Sequence, residues 1–170
     1  MKKKLALACA LIHEPQVLLL DEPTNGVDPV SRREFWDILA DLHLQDVTIL
    51  IATPYMDEAE RCSRVGLMYN GQLIQQGTPS DLRRLVPGEM LAVYTPDLLR
   101  AEAVINDYPQ HLGHQVYGDR IHVFVPDAAA CQQSLQDFLH THDVRVRHIM
   151  SDAPRLEEAF IHLISQQQAV

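Results

Sequence analysis

Lysine is confined to the first turn of the chain: Lys2, Lys3 and Lys4 are the only three in 170 residues. A phosphate-binding P-loop, GxxxxGK[ST], needs a lysine directly after glycine to reach the β- and γ-phosphates. None of the seven glycines is followed by lysine, so that loop does not lie in this stretch. The cysteines, Cys9, Cys62 and Cys131, are widely spaced and form no CxxC. They read as small apolar residues in a reducing compartment rather than a disulfide frame. No apolar run approaches the roughly 18–20 residues that span a bilayer, and no signal peptide opens the chain. The expectation is a cytoplasmic protein whose membrane business would run through a partner. A net charge of −9 argues against nonspecific nucleic-acid binding, so no nucleic-acid partner is expected. HExxH is absent; His140 and His142 diverge on a helix, and no carboxylate or cysteine close in sequence completes a set with His111 and His114. No zinc site is expected. No Ser-His-Asp or Cys-His arrangement is argued by spacing.

What is present centres on Val17-Leu18-Leu19-Leu20-Asp21-Glu22-Pro23. Four branched apolar residues after Pro15 read as a strand of a parallel sheet buried on both faces. Asp21 and Glu22 fall at its carboxyl end, where open α/β sheets place their ligand crevice. Two hard oxygen donors there suit Mg²⁺ and phosphate chemistry, one as a metal ligand and one as a base beside a water.

Around that strand the chain reads as alternating helices and strands. Lys2–His13 is a helix with Leu5, Ala8, Cys9 and Ile12 on one stripe. Asp28 caps a second helix with Pro29 in its first turn, and Phe35, Ile38, Leu39 and Leu42 form the core stripe. Val47–Ala52 is a further strand, and strand–helix–strand makes a right-handed crossover the default. A short acidic helix is expected over Asp57–Arg61. Asn70-Gly71 turns a hairpin, and Thr78 caps another short helix before Pro87-Gly88. Past that point the strands become half-buried. Met90–Thr95, helix Pro96–Tyr108, hairpin Gln115–Val125, a helix capped by Asp127, strand Val144–Met150 and a closing helix striped by Leu156, Phe160, Leu163 and Ile164 give β-α-β-β-α-β plus a helix. That order is a split βαβ, ferredoxin-like arrangement.

Several linked motifs resemble those of the ABC-type ATPases. Val17–Glu22 is similar to the Walker B strand and Asn25–Pro29 to the D-loop. Leu50–Glu60 is similar to the switch-histidine loop, with Pro54 where the histidine belongs. Met1–Ala8 resembles the residues just after the signature, and Gly77-Thr78-Pro79 the end of the nucleotide-binding domain. Pro154-Arg155-Leu156-Glu157-Glu158-Ala159-Phe160 resembles the close of ABC-2-type exporter ATP-binding subunits. The resemblance implies an α/β fold: the carboxyl-terminal half of a P-loop NTPase (ABC) domain over residues 1–86, then a small α+β domain over 89–170. It implies an ATPase subunit of an exporter, with Asp21 on Mg²⁺ through water, Glu22 as the base, and Asp28 at a dimer interface. Implied cofactors are ATP and Mg²⁺, available only with the upstream half supplied. Implied partners are a membrane permease and a second ATPase subunit or half, at the inner face of the cell membrane. Without the P-loop this chain alone is expected to be inactive. Pro54 favours the alternative of a degenerate half that serves as a binding or dimerisation module.

Overall fold

The computed structural model describes residues 2–168. It divides into two compact units, Met1–Glu58 and Ala59–Val170.

The first unit runs α1 (Lys2–Leu11), β1 (Val17–Asp21), α2 (Pro29–Leu44), β2 (Thr48–Ala52) and α3 (Met56–Ala59), which crosses into the second. β1 and β2 pair in parallel, Leu18 opposite Ile49 and Asp21 opposite Ala52. The burial of β1 on both faces is not borne out. Leu18 is buried, with Leu20, Ile49 and Ile51 half-buried on its side, while Leu19 and its partner Leu50 are 69% and 65% exposed. A sheet of two strands covers one face and leaves the other open. The α1 stripe is also corrected: Leu7 is buried, whereas Leu5 is exposed and Ile12 lies past the helix end. On α2 the buried residues are Phe35, Trp36 and Leu39, with Trp36 in place of Ile38. Asp28 caps α2 as expected, accepting the Ser31 N–H at 2.9 Å. The helix ends in a Schellman motif: Asp46 N–H donates to His43 O and Val47 N–H to Leu42 O, with Asp46 at φ +63°.

The second unit opens on the antiparallel hairpin β3 (Val65–Tyr69) and β4 (Gln72–Gly77). Asn70 and Gly71 both take positive φ, as a two-residue type I′ turn requires. α4 (Pro79–Arg83) follows its Thr78 cap. Then come β5 (Glu89–Tyr94), α5 (Leu98–Ile105), β6 (Gly113–Tyr117), β7 (Arg120–Val125), α6 (Ala128–Thr141), β8 (His148–Asp152) and α7 (Leu156–Gln168). The four strands form one sheet in the order β6-β7-β5-β8, every neighbouring pair antiparallel. Leu91, Val93, Ile121, Val123 and Ile149 point from it into the core that Ala101, Ile105, Cys131, Leu135 and Leu139 complete.

The last strand begins four residues later than the apolar pattern suggests. Val144 is instead buried as the residue closing a second Schellman motif, its N–H donating to Leu139 O after Asp143 at φ +58°. On α7 the buried set is Leu156, Glu158 and Ala159. Glu158 accepts the Arg155 N–H at 2.8 Å and meets His122 Nδ1 at 3.1 Å. Burial by itself would raise the Glu158 carboxyl, but those hydrogen bonds bring it below its usual value. Glu60 Oε1 accepts the Leu156 N–H at 3.0 Å, and its other oxygen is bound by Arg83.

Candidate functional site

The end of β1 supplies the two carboxylates. Asp21 is the last ladder residue and is exposed; it has no protein hydrogen-bond or ion-pair partner among the described residues. Glu22 continues the ladder by one bond, its N–H donating to Ala52 O at 2.8 Å, but its own φ is +42°. That is the left-handed region, costly for a residue carrying Cβ. The chain then folds into consecutive turns, Asn25 N–H to Glu22 O and Val27 N–H to Thr24 O. Asn25 Nδ2 donates to Glu22 Oε2 at 2.8 Å, so the carboxylate is tied down by the loop it precedes.

A second carboxylate anchors this loop from below. Glu58, 1% exposed, accepts the hydroxyl of the buried Thr24 on Oε1 and that of Thr53 on Oε2 at 2.8 Å. Thr53 Oγ1 in turn accepts the Tyr55 N–H at 3.1 Å, and Pro54 between them is exposed. Arg32 of α2 lies over the Tyr55 ring at 4.5 Å and 3.6 Å from both Asp57 and Glu58. Tyr55 Oη reaches Asn25 Oδ1 at 3.5 Å. The structure thus brings the β1 end, the turn after it and the loop after β2 into one hydrogen-bonded set. Asp28 stands apart from that set, exposed and capping α2, beside a cavity of about 330 Å³ lined by Lys3, Lys4, Asn25, Ser31 and Phe35. The Ser31 N–H, and after it the Ser31 hydroxyl, hold the Asp28 carboxyl below its usual value.

Sequence reasoning named Asp21, Glu22, Asp28 and Pro54 but missed Thr24, Asn25, Arg32, Tyr55 and Glu58. Glu58 sits in an acidic run, Asp57-Glu58-Ala59-Glu60, whose pattern reads as a solvated surface. Among the described residues no group of three or more His, Cys, Asp or Glu is arranged to hold a metal. Mg²⁺ does not require one: it commonly keeps several waters and uses one or two carboxylates with substrate phosphates. Adjacent, exposed Asp21 and Glu22 fit that mode. Among the described residues, no helix is long and apolar enough to cross a membrane.

No protein-family model matches the chain. It is 56% identical over 82 residues, 48% of its length, to 14% of the probable multidrug ABC transporter ATP-binding protein YbhF of Escherichia coli. Over nearly its full length, 98%, it is 32% identical to 51% of the Nod factor export ATP-binding protein I of Rhizobium etli. Over 96% it is 32% identical to 52% of the daunorubicin resistance ATP-binding protein DrrA2 of Streptomyces coeruleorubidus. The chain therefore belongs among mixed α/β proteins of the P-loop NTPase class. More narrowly, its relatives are ATP-binding proteins of ABC transporters, and it corresponds to part of such a subunit, spanning about half the length of the relatives that match it end to end.

Proposed function

We propose that the chain is the carboxyl-terminal part of an ABC exporter ATP-binding subunit, acting with ATP and Mg²⁺ once an upstream P-loop segment is present. The observation that carries this is Glu22: an exposed carboxylate beside Asp21, at a strand end, held by Asn25 in a left-handed backbone conformation. Asp21 would hold Mg²⁺ through water, and the ion would supply charge neutralisation on the phosphates. Glu22 takes the proton of the attacking water as the new P–O bond forms and the bond to ADP breaks. Asp28 and the cavity beside it face a second ATPase subunit or half. The open Leu19–Leu50 face of the β1–β2 sheet supports a domain continued by chain outside this sequence. Residues 1–86 form the ABC part. Residues 89–170 form a ferredoxin-like accessory domain, a reading supported by the order and senses of β5–β8. The subunit sits peripherally at the inner face of the cell membrane on a permease.

Pro54 favours a second reading, a non-hydrolytic dimerisation half, because proline offers no side-chain donor and no N–H. The test is calorimetric titration of Mg-ATP into the purified chain and into a longer chain carrying the upstream segment. The expected outcome is no micromolar, phosphate-dependent binding by the former, and binding with turnover by the latter that Glu22→Gln abolishes. Binding without turnover establishes the second reading. No binding by the longer chain refutes the first reading.

A further inference from the structure

We infer that Tyr55, the residue after Pro54, is a positioning residue for Glu22, acting through the side-chain amide of Asn25. The inference rests on the reading of Glu22 as the base. An asparagine amide can face a carboxylate in two ways, and only the one that presents Nδ2 is attractive. Here Nδ2 meets Glu22 Oε2 at 2.8 Å, and the carbonyl oxygen is left facing the Tyr55 hydroxyl at 3.5 Å. The carboxylate, which can only accept, selects that orientation, and the phenol donating to the freed oxygen engages the amide at its other end.

Tyr55 is itself fixed at its backbone and at its ring. Its N–H donates to Thr53 Oγ1, its ring lies under the Arg32 guanidinium, and Arg32 is drawn to Asp57 and to Glu58. Thr53 is bound by the same Glu58. A continuous path therefore runs from the buried Glu58 to Arg32 and Thr53, to Tyr55, to Asn25 and to Glu22. It passes position 54 without using its side chain. The loop after β2 thereby keeps a link to the carboxylate although Pro54 contributes none.

The test reads the Asn25 side-chain amide by ¹⁵N–¹H NMR in the whole chain, with no nucleotide present. One Asn25 NH₂ proton is expected downfield of exposed asparagine side chains. Glu22→Gln should return it toward the exposed position, and Tyr55→Phe should move it in the same direction. Phenylalanine keeps the ring under Arg32, so Thr53 and Thr24 resonances should stay in place. Tyr55→Leu, which also removes the ring, should reproduce the Asn25 shift and add changes at Arg32. If Tyr55→Phe leaves the Asn25 amide where it was while Glu22→Gln moves it, Tyr55 does not position it. If Glu22→Gln leaves it unmoved, the amide is not on the carboxylate; either result overturns the inference. Failure of the proposed function would show instead as absent ATP binding by the longer chain, to which this spectrum is blind.

Discussion

Replacing Glu58 by alanine should unfold much of the first unit while leaving the second intact. The side chain is 1% exposed and accepts two hydroxyl hydrogen bonds, from Thr24 and Thr53. Hydrogen bonds to a charged group contribute about 1.5–3 kcal/mol each, and an orphaned buried hydroxyl such as that of Thr24 adds its desolvation cost. Arg32, whose Nε is buried without a hydrogen-bond partner among the described residues and 3.6 Å from Glu58 Oε1, would also lose that compensating charge. Removing one partner from a buried charged set typically costs about 3–5 kcal/mol. Domains are stable by roughly 0.05–0.15 kcal/mol per residue, which for residues 1–58 is about 3–9 kcal/mol. The loss is therefore comparable with the whole stability of the unit. Glu58→Gln should cost less, about 1–2 kcal/mol, since one oxygen still accepts while its NH₂ faces a hydroxyl whose proton must turn away. Trp36 is the only tryptophan, lies in this unit and is 8% exposed. Urea titration followed by its fluorescence thus reads the first unit, with far-UV circular dichroism reporting the whole chain. A Glu58→Ala shift below about 1 kcal/mol, or one equal to that of Glu58→Gln, would refute the argument.

Three further outcomes are expected. Gly88 has φ +70°, and a Cβ there would strike the Val125 carbonyl oxygen and approach Leu112 Cδ1 at 2.9 Å; Gly88→Ala should cost about 2 kcal/mol or more by urea denaturation followed by circular dichroism, and a neutral result would contradict it. Asp46 occupies the left-handed C′ position of α2, so Asp46→Gly should stabilise the first unit by about 0.5–1 kcal/mol in the Trp36 titration. The Arg145 side-chain and backbone hydrogen bonds lower the Asp97 carboxyl to about 2. Because the folded value lies below the usual carboxyl value of 3.8, the stabilisation is present above the latter and is lost as pH falls toward about 2. A carboxyl NMR titration with a midpoint near 3.8 would exclude it, and Arg145→Gln should move the midpoint up.

What the sequence made legible follows from how local each signal is. The Asp28 cap, the Asn70-Gly71 turn and the Asp127 cap depend on residues a few places apart, and all three stand in the structure. Burial of a strand face depends on what covers it. The run Val17–Leu20 could not disclose that Leu19 and Leu50 pair on an open face. The start of β8 was misplaced because Val144 and Val146 alternate like a strand, although Val144 is buried by the helix stop before it. Local pattern is equally silent on charged residues: Glu58 and Glu158 are each buried on partners 34 and 36 residues away, Thr24 and His122. The carboxylates at the end of β1 were legible; the Asn25 amide that holds Glu22 was not.

Backbone conformation separates the two adjacent acids more sharply than their chemistry does. Among the described residues, five non-glycine residues have positive φ: Glu14, Glu22, Asp46, Asn70 and Asp143. Asp and Asn tolerate the left-handed region because their short polar side chains bond locally, whereas glutamate lacks that relief. Glu14 sits in the turn that ends α1, its N–H on Leu11 O, and glycine would serve as well there. At position 22 glycine would relieve a strain of about 1–2 kcal/mol but remove the carboxylate that Asn25 holds. Strain of this kind persists where the surroundings over-determine it. Here the β1–β2 ladder fixes the N–H of Glu22, Asn25 N–H fixes its carbonyl, and the Asn25 amide fixes its side chain. Asp21, one residue earlier, is an ordinary strand residue whose carboxylate has no protein partner among the described residues. One acid is thus left open at the strand end and the other is held in a set geometry beside it, the division of labour that the proposed roles of a metal-linked ligand and a base require.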